Sequence, residues 1–246
     1  MSPCRLWTSH TWTNAALPAG VPPIGSPELL PRRCPIDGDA LSGWLQDWLP
    51  EDPVLTAARA RAAEVGVGAV DTAAGSVLRL LAASCQARAV VELGTGAGVS
   101  GLWLLRGMRA DGVLTSVDVD AEHQRLARQS LVEGGFGSGR VRLIGGQALE
   151  VLPRLSDGAY DLVFCDAAKT QSCDYLAASL RLLRPGGLVV FAGALGNGRI
   201  ADPGARDAET VALRELAKAV REDTRLVPAV LPGGDGLIAA VLSGPA

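Results

Sequence analysis

The sequence predicts a doubly wound α/β fold, in which helices cover both faces of a seven-stranded sheet and the last strand runs antiparallel. From residue 89 onward, short runs rich in β-branched residues alternate with helical segments, which is typical of a parallel sheet buried on both faces. The last two runs are separated only by residues 232–236, too few for a helical crossover. They must therefore pair as a hairpin, which reverses the final strand.

The predicted strands are short apolar runs bounded by turn residues. They cover residues 89–93, 114–118, 141–144, 161–166, 188–192, 226–231 and 237–242. Two helices are predicted between residue 50 and the first strand. Asp52 caps the first helix, which has Pro53 at its first position, and Thr72 opens the second helix over residues 73–85.

The length of the chain suits one α/β domain, and a hydrophobic content of 48% supports a core of that size. Residues 36–246 are predicted to form this domain. Residues 1–35 hold many prolines and show no helical or strand period, so they are predicted to be a disordered extension rather than a signal peptide. A helix capped by Asp39 carries apolar side chains from Leu41 to Leu49 on one face, which indicates a core or dimer contact.

Composition argues against several classes of protein. The formal net charge of -3 provides no basic field to hold a phosphate backbone, so nucleic acid is not an expected partner. The apolar runs are shorter than the roughly 18 residues that a membrane-spanning helix needs. Five scattered cysteines and two histidines fit neither a zinc site nor a disulfide scaffold, and a reducing cytoplasm is the expected location.

A glycine-rich turn follows the first predicted strand. Glu92, Gly94 and Gly96 stand at the strand end, where glycines let the backbone bend sharply and approach a ligand. About 20 residues further on, Asp118 ends the second strand, where a carboxylate can accept both hydroxyls of a ribose. The sequence therefore predicts a nucleoside-containing cofactor bound by residues 92–100 and Asp118.

A nicotinamide enzyme is the rival interpretation, because Gly96, Gly98 and Gly101 satisfy the G-x-G-x-x-G pattern of dinucleotide-binding loops. That register would place the pyrophosphate turn well past the strand end. Glu92 would also repel a pyrophosphate, whereas a carboxylate suits the cationic aminoacyl part of S-adenosylmethionine. Methyl transfer is therefore favoured over hydride transfer, and a turn without a ligand remains the third alternative.

Six motifs in order resemble the class I S-adenosylmethionine-dependent O-methyltransferases of the caffeoyl-CoA and catechol type, especially their small bacterial, actinobacterial-like members. The resemblance covers residues 70–242 and implies a Rossmann-like sheet and a homodimer. The motifs are Glu92-Leu93-Gly94-Thr95-Gly96, Ser116-Val117-Asp118-Val119-Asp120, Gly146-Gln147-Ala148-Leu149, Phe164-Cys165-Asp166-Ala167-Ala168-Lys169, Arg184-Pro185-Gly186-Gly187-Leu188 and Leu231-Pro232-Gly233-Gly234-Asp235-Gly236-Leu237.

Carried over position by position, the resemblance implies the site residues. Those assigned to S-adenosylmethionine are Val70, Glu92, Gly94, Thr95, Ser100, Asp118, Val119, Ala148 and Ala168. Asp166 would face the substrate, and Asp166 and Lys169 are the expected catalytic residues.

Departures from the family put a divalent metal in doubt. The fourth-strand motif D-A-D-K has Ala168 in place of its second aspartate, and the D-N pair that ends the fifth strand is replaced by Ala192 and Gly193. A hard cation needs several oxygen ligands, so Asp166 alone would hold Mg²⁺ weakly and no metal ligand is assigned. Carboxylates at positions 202 and 207 of a later loop are the alternative ligands.

The predicted function is S-adenosylmethionine-dependent O-methylation of a small molecule with a phenolic or catechol-like hydroxyl. An unperturbed phenol has a pKa of about 10, so a cation must favour the phenolate or a base must take the proton. Lys169 is a candidate for either task, and Asp166 is a second candidate base. A pseudoenzyme that binds S-adenosylmethionine without turnover is the alternative, and a nicotinamide oxidoreductase is a more distant one.

Overall fold

The computed structural model describes residues 43–44, 48–231 and 234–244. The strands are β1 (Ala89–Leu93), β2 (Val113–Asp118), β3 (Val141–Gly145), β4 (Tyr160–Cys165), β5 (Leu183–Ala192), β6 (Leu226–Leu231) and β7 (Leu237–Leu242). The helices are α1 (Pro53–Glu64), α2 (Thr72–Ser84), α3 (Val99–Gly107), α4 (Ala121–Glu133), α5 (Ala148–Val151), α6 (Ser172–Leu182) and α7 (Ala208–Glu222). The predicted extension over residues 1–35 lies outside the described residues, as does most of the helix predicted over residues 41–49.

The sheet confirms the predicted doubly wound architecture. Its strand order is β3-β2-β1-β4-β5-β7-β6. All pairs from β3 to β5 are parallel, whereas β7 is antiparallel to both β5 and β6. The order of strand addition reverses between β1 and β4. In open α/β sheets, ligands bind in the crevice at the carboxyl ends of the strands at this switch point.

The predicted strand boundaries agree with the structure to within one residue, except at the start of β5. This strand begins at Leu183, because Leu183 pairs with Tyr160 before the register shifts to the pair of Leu162 with Leu188. Residues 184–187, which lie outside the predicted strand, therefore form an irregular first part of β5.

Aspartates cap α1 and α2. Oδ1 of Asp52 accepts a 3.0 Å hydrogen bond from the backbone amide three residues later, and Pro53 occupies the first helical position as predicted. The second helix begins one residue earlier than predicted. Its cap is Asp71 rather than Thr72, and Oδ1 of Asp71 accepts a 2.7 Å bond from the amide three residues later.

Two apolar cores lie on opposite faces of the sheet. The first includes Val90 of β1 with side chains of α2 and α3, among them Leu78 and Trp103. The second includes Val91 of β1 with side chains of α6 and α7, among them Leu216. Successive strand residues point to opposite faces, so β1 is buried from both sides and its carboxyl end is held rigidly.

Among the described residues, no helix is long and apolar enough to cross a membrane. The described cysteines Cys85, Cys165 and Cys173 are free. Burial of the Cys165 thiol within the second core raises its pKa to about 12, so this cysteine packs as an apolar side chain. The expected cytoplasmic location stays a prediction.

Candidate active site

A cavity of about 690 Å³ opens at the carboxyl ends of β1, β2 and β4. Its size lies within the range of small-molecule sites, and its position is the switch point of the sheet. The predicted site residues that line it are Val70, Gly94, Thr95, Ser100, Asp118, Val119, Ala148, Asp166 and Ala168. We call it the cofactor cavity.

Gly94 makes the first turn of the glycine loop possible. Its φ of +91° lies in the left-handed region, and a Cβ there would overlap the backbone oxygen of Asp166. Its amide donates a 2.9 Å hydrogen bond to the carbonyl of Val117. The loop therefore passes tightly between the ends of β2 and β4. Position 94 requires glycine because the protein backbone at Asp166 lies against it.

Asp118 is fixed at the wall of the cofactor cavity. Its Oδ2 accepts a 3.0 Å bond from the Gly96 amide and its Oδ1 a 2.9 Å bond from the Asp120 amide, and Nδ1 of His123 lies 3.3 Å from Oδ1. A carboxylate oxygen has about two lone pairs. Oδ2 therefore retains acceptor capacity for a ribose hydroxyl.

The sequence predicted that Glu92 contacts the cofactor. Its side chain instead lies behind the wall of the cofactor cavity and does not line it. Its side chain is completely buried, and its two oxygens accept hydrogen bonds of 2.6 Å from Ser100 Oγ and 2.5 Å from Ser116 Oγ. The Ser116 hydroxyl is also 2.7 Å from the hydroxyl of Thr95. Glu92 thus anchors two residues of the cavity wall, Ser100 directly and Thr95 through Ser116.

The carboxyl group of Glu92 is energetically unusual. Burial raises its pKa to about 7, although the bonds from Ser100 and Ser116 act in the opposite direction. The nearby charges of Asp166 and Asp118 raise the pKa further. This carboxyl therefore changes its charge near neutral pH, within the support of the glycine loop.

Lys169 lies beside Asp166 in a second cavity of about 330 Å³, which we call the acceptor cavity. Its Nζ donates to Oδ1 of Asp166 at 2.9 Å and to the backbone oxygen of Ala192 at 2.8 Å. The two side chains are 21% and 29% exposed, so water screens the pair only partly. Asp166 also lines the cofactor cavity, so this ion pair lies at the junction of the two cavities.

Comparisons with known proteins identify the family. The model of the O-methyltransferase family matches residues 51–242. A Mycobacterium tuberculosis protein named probable O-methyltransferase is 52% identical over 217 residues, which cover 88% of this chain and 97% of that protein. The chain belongs to the O-methyltransferase family. The predicted enzyme class, an S-adenosylmethionine-dependent O-methyltransferase, is thereby confirmed.

Solved structures similar to this methyltransferase agree with its fold. A Corynebacterium glutamicum protein superposes with a TM-score of 0.80 at 32% identity, covering 85% of this chain and 98% of that chain. The O-methyltransferase TomG from Streptomyces achromogenes, which is involved in tomaymycin synthesis, has a TM-score of 0.76 at 29% identity. That likeness covers 83% of this chain and 96% of TomG, whose crystal structure contains S-adenosylmethionine.

The donor set of this methyltransferase does not fit the divalent metal that the resemblance to the catechol type implies. Of the positions at which the resemblance implies metal ligands, only Asp166 carries a carboxylate. The ammonium of Lys169 already donates to its Oδ1 and to the Ala192 carbonyl. A Cβ on Gly193 would lie 3.2 Å from Nζ of Lys169 and 3.5 Å from Oδ2 of Asp235, so the lysine ammonium stands beside the position of the missing ligand. Within the described ranges, no group of three His, Cys, Asp or Glu residues is arranged to hold a metal ion.

The loop that holds Asp202 and Asp207 does not supply replacement metal ligands in this conformation. Asp207 caps α7, where its Oδ1 accepts from the Thr210 amide at 3.0 Å, and hydrogen bonds from Thr210 hold the pKa of Asp207 well below its usual range. Oδ1 of Asp202 accepts a 2.8 Å bond from the Gly204 amide. Neither carboxylate lines the cofactor cavity or the acceptor cavity.

Four polar residues that line the cofactor cavity were not assigned to the site from the sequence: His123, Gln147, Gln171 and Tyr175. His123 is in the first turn of α4, beside Asp118. The hydroxyl of Tyr175 donates a 2.6 Å bond to Oε1 of Gln171. Gln171 and Tyr175 are four residues apart, and on a helical segment this spacing predicts contact between the two side chains. It does not predict contact with a cofactor.

Replacing Asp118 with alanine is expected to weaken the binding of S-adenosylhomocysteine by about ten- to a hundredfold, because charge-assisted bonds to the ribose are worth about 1.5–3 kcal/mol. Titration calorimetry measures the change. Since Asp118 also holds the Gly96 amide, the melting temperature of the variant should be measured alongside. An unchanged dissociation constant in a folded variant would refute the ribose assignment.

Proposed function

We propose that this methyltransferase transfers the methyl group of S-adenosylmethionine to a phenolic or catechol-like hydroxyl of a small acceptor, with Lys169 in place of a divalent metal. The observation that carries the proposal is the Lys169–Asp166 pair at the junction of the two cavities. A cation and a potential base thus meet at the place where a methyl group in one cavity would face a hydroxyl in the other.

The cofactor cavity suits S-adenosylmethionine. Asp118 would accept the ribose hydroxyls, and Ser100 and Thr95 would face the aminoacyl part. Val119 is 70% exposed and apolar, so an adenine between Val119 and Ala148 would cover it. TomG, which contains S-adenosylmethionine, supports this assignment through its similar fold.

The cation role of Lys169 follows from its hydrogen bonds. A protonated lysine has three donors, and two are used by Asp166 and Ala192. The third remains for the acceptor oxygen, whose negative charge it would stabilise as that oxygen attacks the methyl carbon. Among the described residues, Oδ2 of Asp166 accepts no hydrogen bond, so it is free to receive the hydroxyl proton.

The reaction balances with these groups alone. The acceptor O–H bond breaks and its proton passes to Asp166, then to water. The new C–O bond forms while the C–S bond breaks, and the sulfonium leaves as neutral S-adenosylhomocysteine. The protein contributes mainly the alignment of oxygen, carbon and sulfur, together with fixed charges.

A screen with S-adenosylmethionine labelled in its methyl group, over a library of phenols and catechols, tests the proposed function. Label is expected in an O-methylated phenol, and titration calorimetry should show binding of S-adenosylhomocysteine. Binding without label in any acceptor would support the pseudoenzyme instead. Label in non-phenolic hydroxyls alone would overturn the acceptor class.

We also propose a homodimer formed through the predicted helix over residues 41–49. Its described residues Trp44 and Trp48 stack with their ring centroids 6.1 Å apart, and they are 58% and 68% exposed. Two adjacent exposed indoles are typical of an interface.

Light scattering is expected to give the mass of a dimer for the wild type and of a monomer for the double variant Trp44→Asp, Trp48→Asp. Val132→Asp changes an exposed valine on α4 and should leave the mass unchanged. A double variant that stays dimeric would exclude this helix as the interface.

A further inference from the structure

Gln171 and Tyr175 form a hydrogen-bonded pair in the lining of the cofactor cavity. Gln171 is the last residue before α6, and its backbone amide donates a 3.0 Å bond to the carbonyl of Ala168. Tyr175 follows in the first turn of α6. The pair takes no part in the proposed reaction, so its place in the cavity wall calls for another role.

The pair lies close to the part of the cavity in which we place the adenine, between Val119 and Ala148. Tyr175 belongs to the second core, and Ala148 of α5 packs against that core. Helices α5 and α6 are also in contact. An adenine beside Ala148 would therefore have Gln171 and Tyr175 as neighbours. The inference below rests on this part of the proposed function.

The bond between the two side chains fixes the orientation of the Gln171 amide. The Tyr175 side chain is buried, and burial raises the pKa of its hydroxyl, which therefore keeps its proton near neutral pH. This hydroxyl donates at 2.6 Å to Oε1 of Gln171. The amide oxygen is thus engaged, and the amide nitrogen is the end that remains for a ligand.

The amide nitrogen of Gln171 is also accessible. Among the described residues, no atom accepts a hydrogen bond from Nε2. The one fully buried side-chain nitrogen or oxygen without a partner in the described part of the chain belongs to Trp103, so Nε2 of Gln171 reaches open space. An amide nitrogen donates two hydrogen bonds and accepts none.

Gln147 is a second amide side chain in the lining, but the protein does not hold it in place. It is exposed, and its side chain makes no capping bond to α5. A side chain that is free to rotate loses conformational entropy when a ligand orders it. The amide of Gln171 is already ordered by Tyr175, which makes it the better preorganised donor.

We propose that Gln171 is a specificity-determining residue for the adenine ring of S-adenosylmethionine, in which Nε2 donates a hydrogen bond to a ring nitrogen and Tyr175 holds the amide in the donating orientation. The ring nitrogens of adenine accept hydrogen bonds, whereas its exocyclic amine donates. A donor at this position therefore selects a ring nitrogen and not the amine.

Binding of S-adenosylhomocysteine and of its 1-deaza, 3-deaza and 7-deaza analogues tests the proposal without turnover. Each analogue replaces one ring nitrogen with a C–H group of similar shape, which cannot accept a hydrogen bond. Calorimetric titration of the full chain is expected to show at least one analogue binding about three- to tenfold more weakly than S-adenosylhomocysteine, the net effect of one neutral hydrogen bond.

Gln171→Leu should weaken the binding of S-adenosylhomocysteine by a similar factor and should no longer distinguish it from that analogue. Gln171 makes no side-chain capping bond, so α6 should be retained. The double variant Gln171→Leu, Tyr175→Phe also removes the buried hydroxyl that would otherwise lose its partner, and it should give the same result. Gln129→Leu changes an exposed glutamine of α4 and is the matched control.

Tyr175→Phe tests the orienting role by itself. Phenylalanine keeps the ring in the second core but leaves the Gln171 amide free to turn. Discrimination against the analogue should therefore decrease, although Gln171 is still present. Discrimination at the wild-type level would overturn the part of the proposal that concerns Tyr175.

The outcomes separate this inference from the proposed acceptor chemistry. Equal binding of all four compounds by the wild type, or full discrimination by both Gln171→Leu and the double variant, would overturn the role of Gln171. Loss of discrimination in Gln147→Leu alone would assign that role to Gln147 instead. The titrations contain no methyl acceptor, so a failure of the proposed acceptor class leaves them unchanged, whereas an absence of S-adenosylhomocysteine binding would overturn the placement of the cofactor and this inference together.

Discussion

Replacing Lys169 with methionine is expected to lower kcat for methyl transfer by about 10²- to 10³-fold, the typical cost of removing one preorganised group that stabilises developing charge. Methionine keeps much of the length and removes the ammonium. Lys169 does not line the cofactor cavity, so the affinity for S-adenosylhomocysteine should change little. Single-turnover kinetics with saturating S-adenosylmethionine and an accepted phenol measures the loss.

Two further variants decide how Lys169 acts. Lys169→Arg should retain more activity than Lys169→Met if the residue acts as a cation, because arginine is always charged. If Lys169 acts as a neutral base, arginine should be as inactive as methionine. Lys218→Met removes an exposed lysine of α7 and serves as the control. Wild-type turnover in Lys169→Met would contradict both roles.

The stability of the protein is expected to depend on the ionisation of Glu92. Its pKa is about 7 in the folded protein, against an ordinary value of 4.5 for a glutamate carboxyl. The neutral carboxyl is favoured by folding, so its contribution is fully present below about pH 4.5 and is lost as the pH rises through about 7. The difference corresponds to about 3 kcal/mol in the free energy of unfolding.

Glu92→Gln isolates this contribution. Glutamine has the same shape, and its amide can bond to the hydroxyls of Ser100 and Ser116, because hydroxyls both donate and accept. Denaturant unfolding from pH 4.5 to 8.5 should show the wild type losing stability relative to the variant as the pH increases. A difference between the two proteins that does not vary with pH would contradict the prediction.

The fold could be predicted in detail because its signals are local. Each strand is a short apolar run between turn residues, and the five residues 232–236 were enough to require a reversed last strand. The start of β5 was predicted five residues late, because Pro185, Gly186 and Gly187 have the composition of a turn. Pairing with Tyr160 overrides that local preference.

The site was predicted less completely because side-chain direction and tertiary contact are not local. Glu92 stands at the end of β1, but strand alternation points it to the same face as Val90, toward α3, so it reaches Ser100 instead of the cavity. Asp235 lies in the short connection between the last two strands, and only the folded chain places it in the lining of the acceptor cavity together with Asp71 and Lys169.

Turnover of an accepted phenol in EDTA, compared with turnover in millimolar Mg²⁺ or Mn²⁺, tests the central claim most directly. Lys169 holds both Asp166 and the Ala192 carbonyl, and neither Ala192 nor Gly193 offers a side-chain oxygen to a cation. We therefore predict rates that agree within about twofold in all three conditions, against the orders of magnitude that a lost Lewis acid would cost. Loss of nearly all activity in EDTA, with recovery when either metal is added, would contradict the account and require a metal-dependent mechanism.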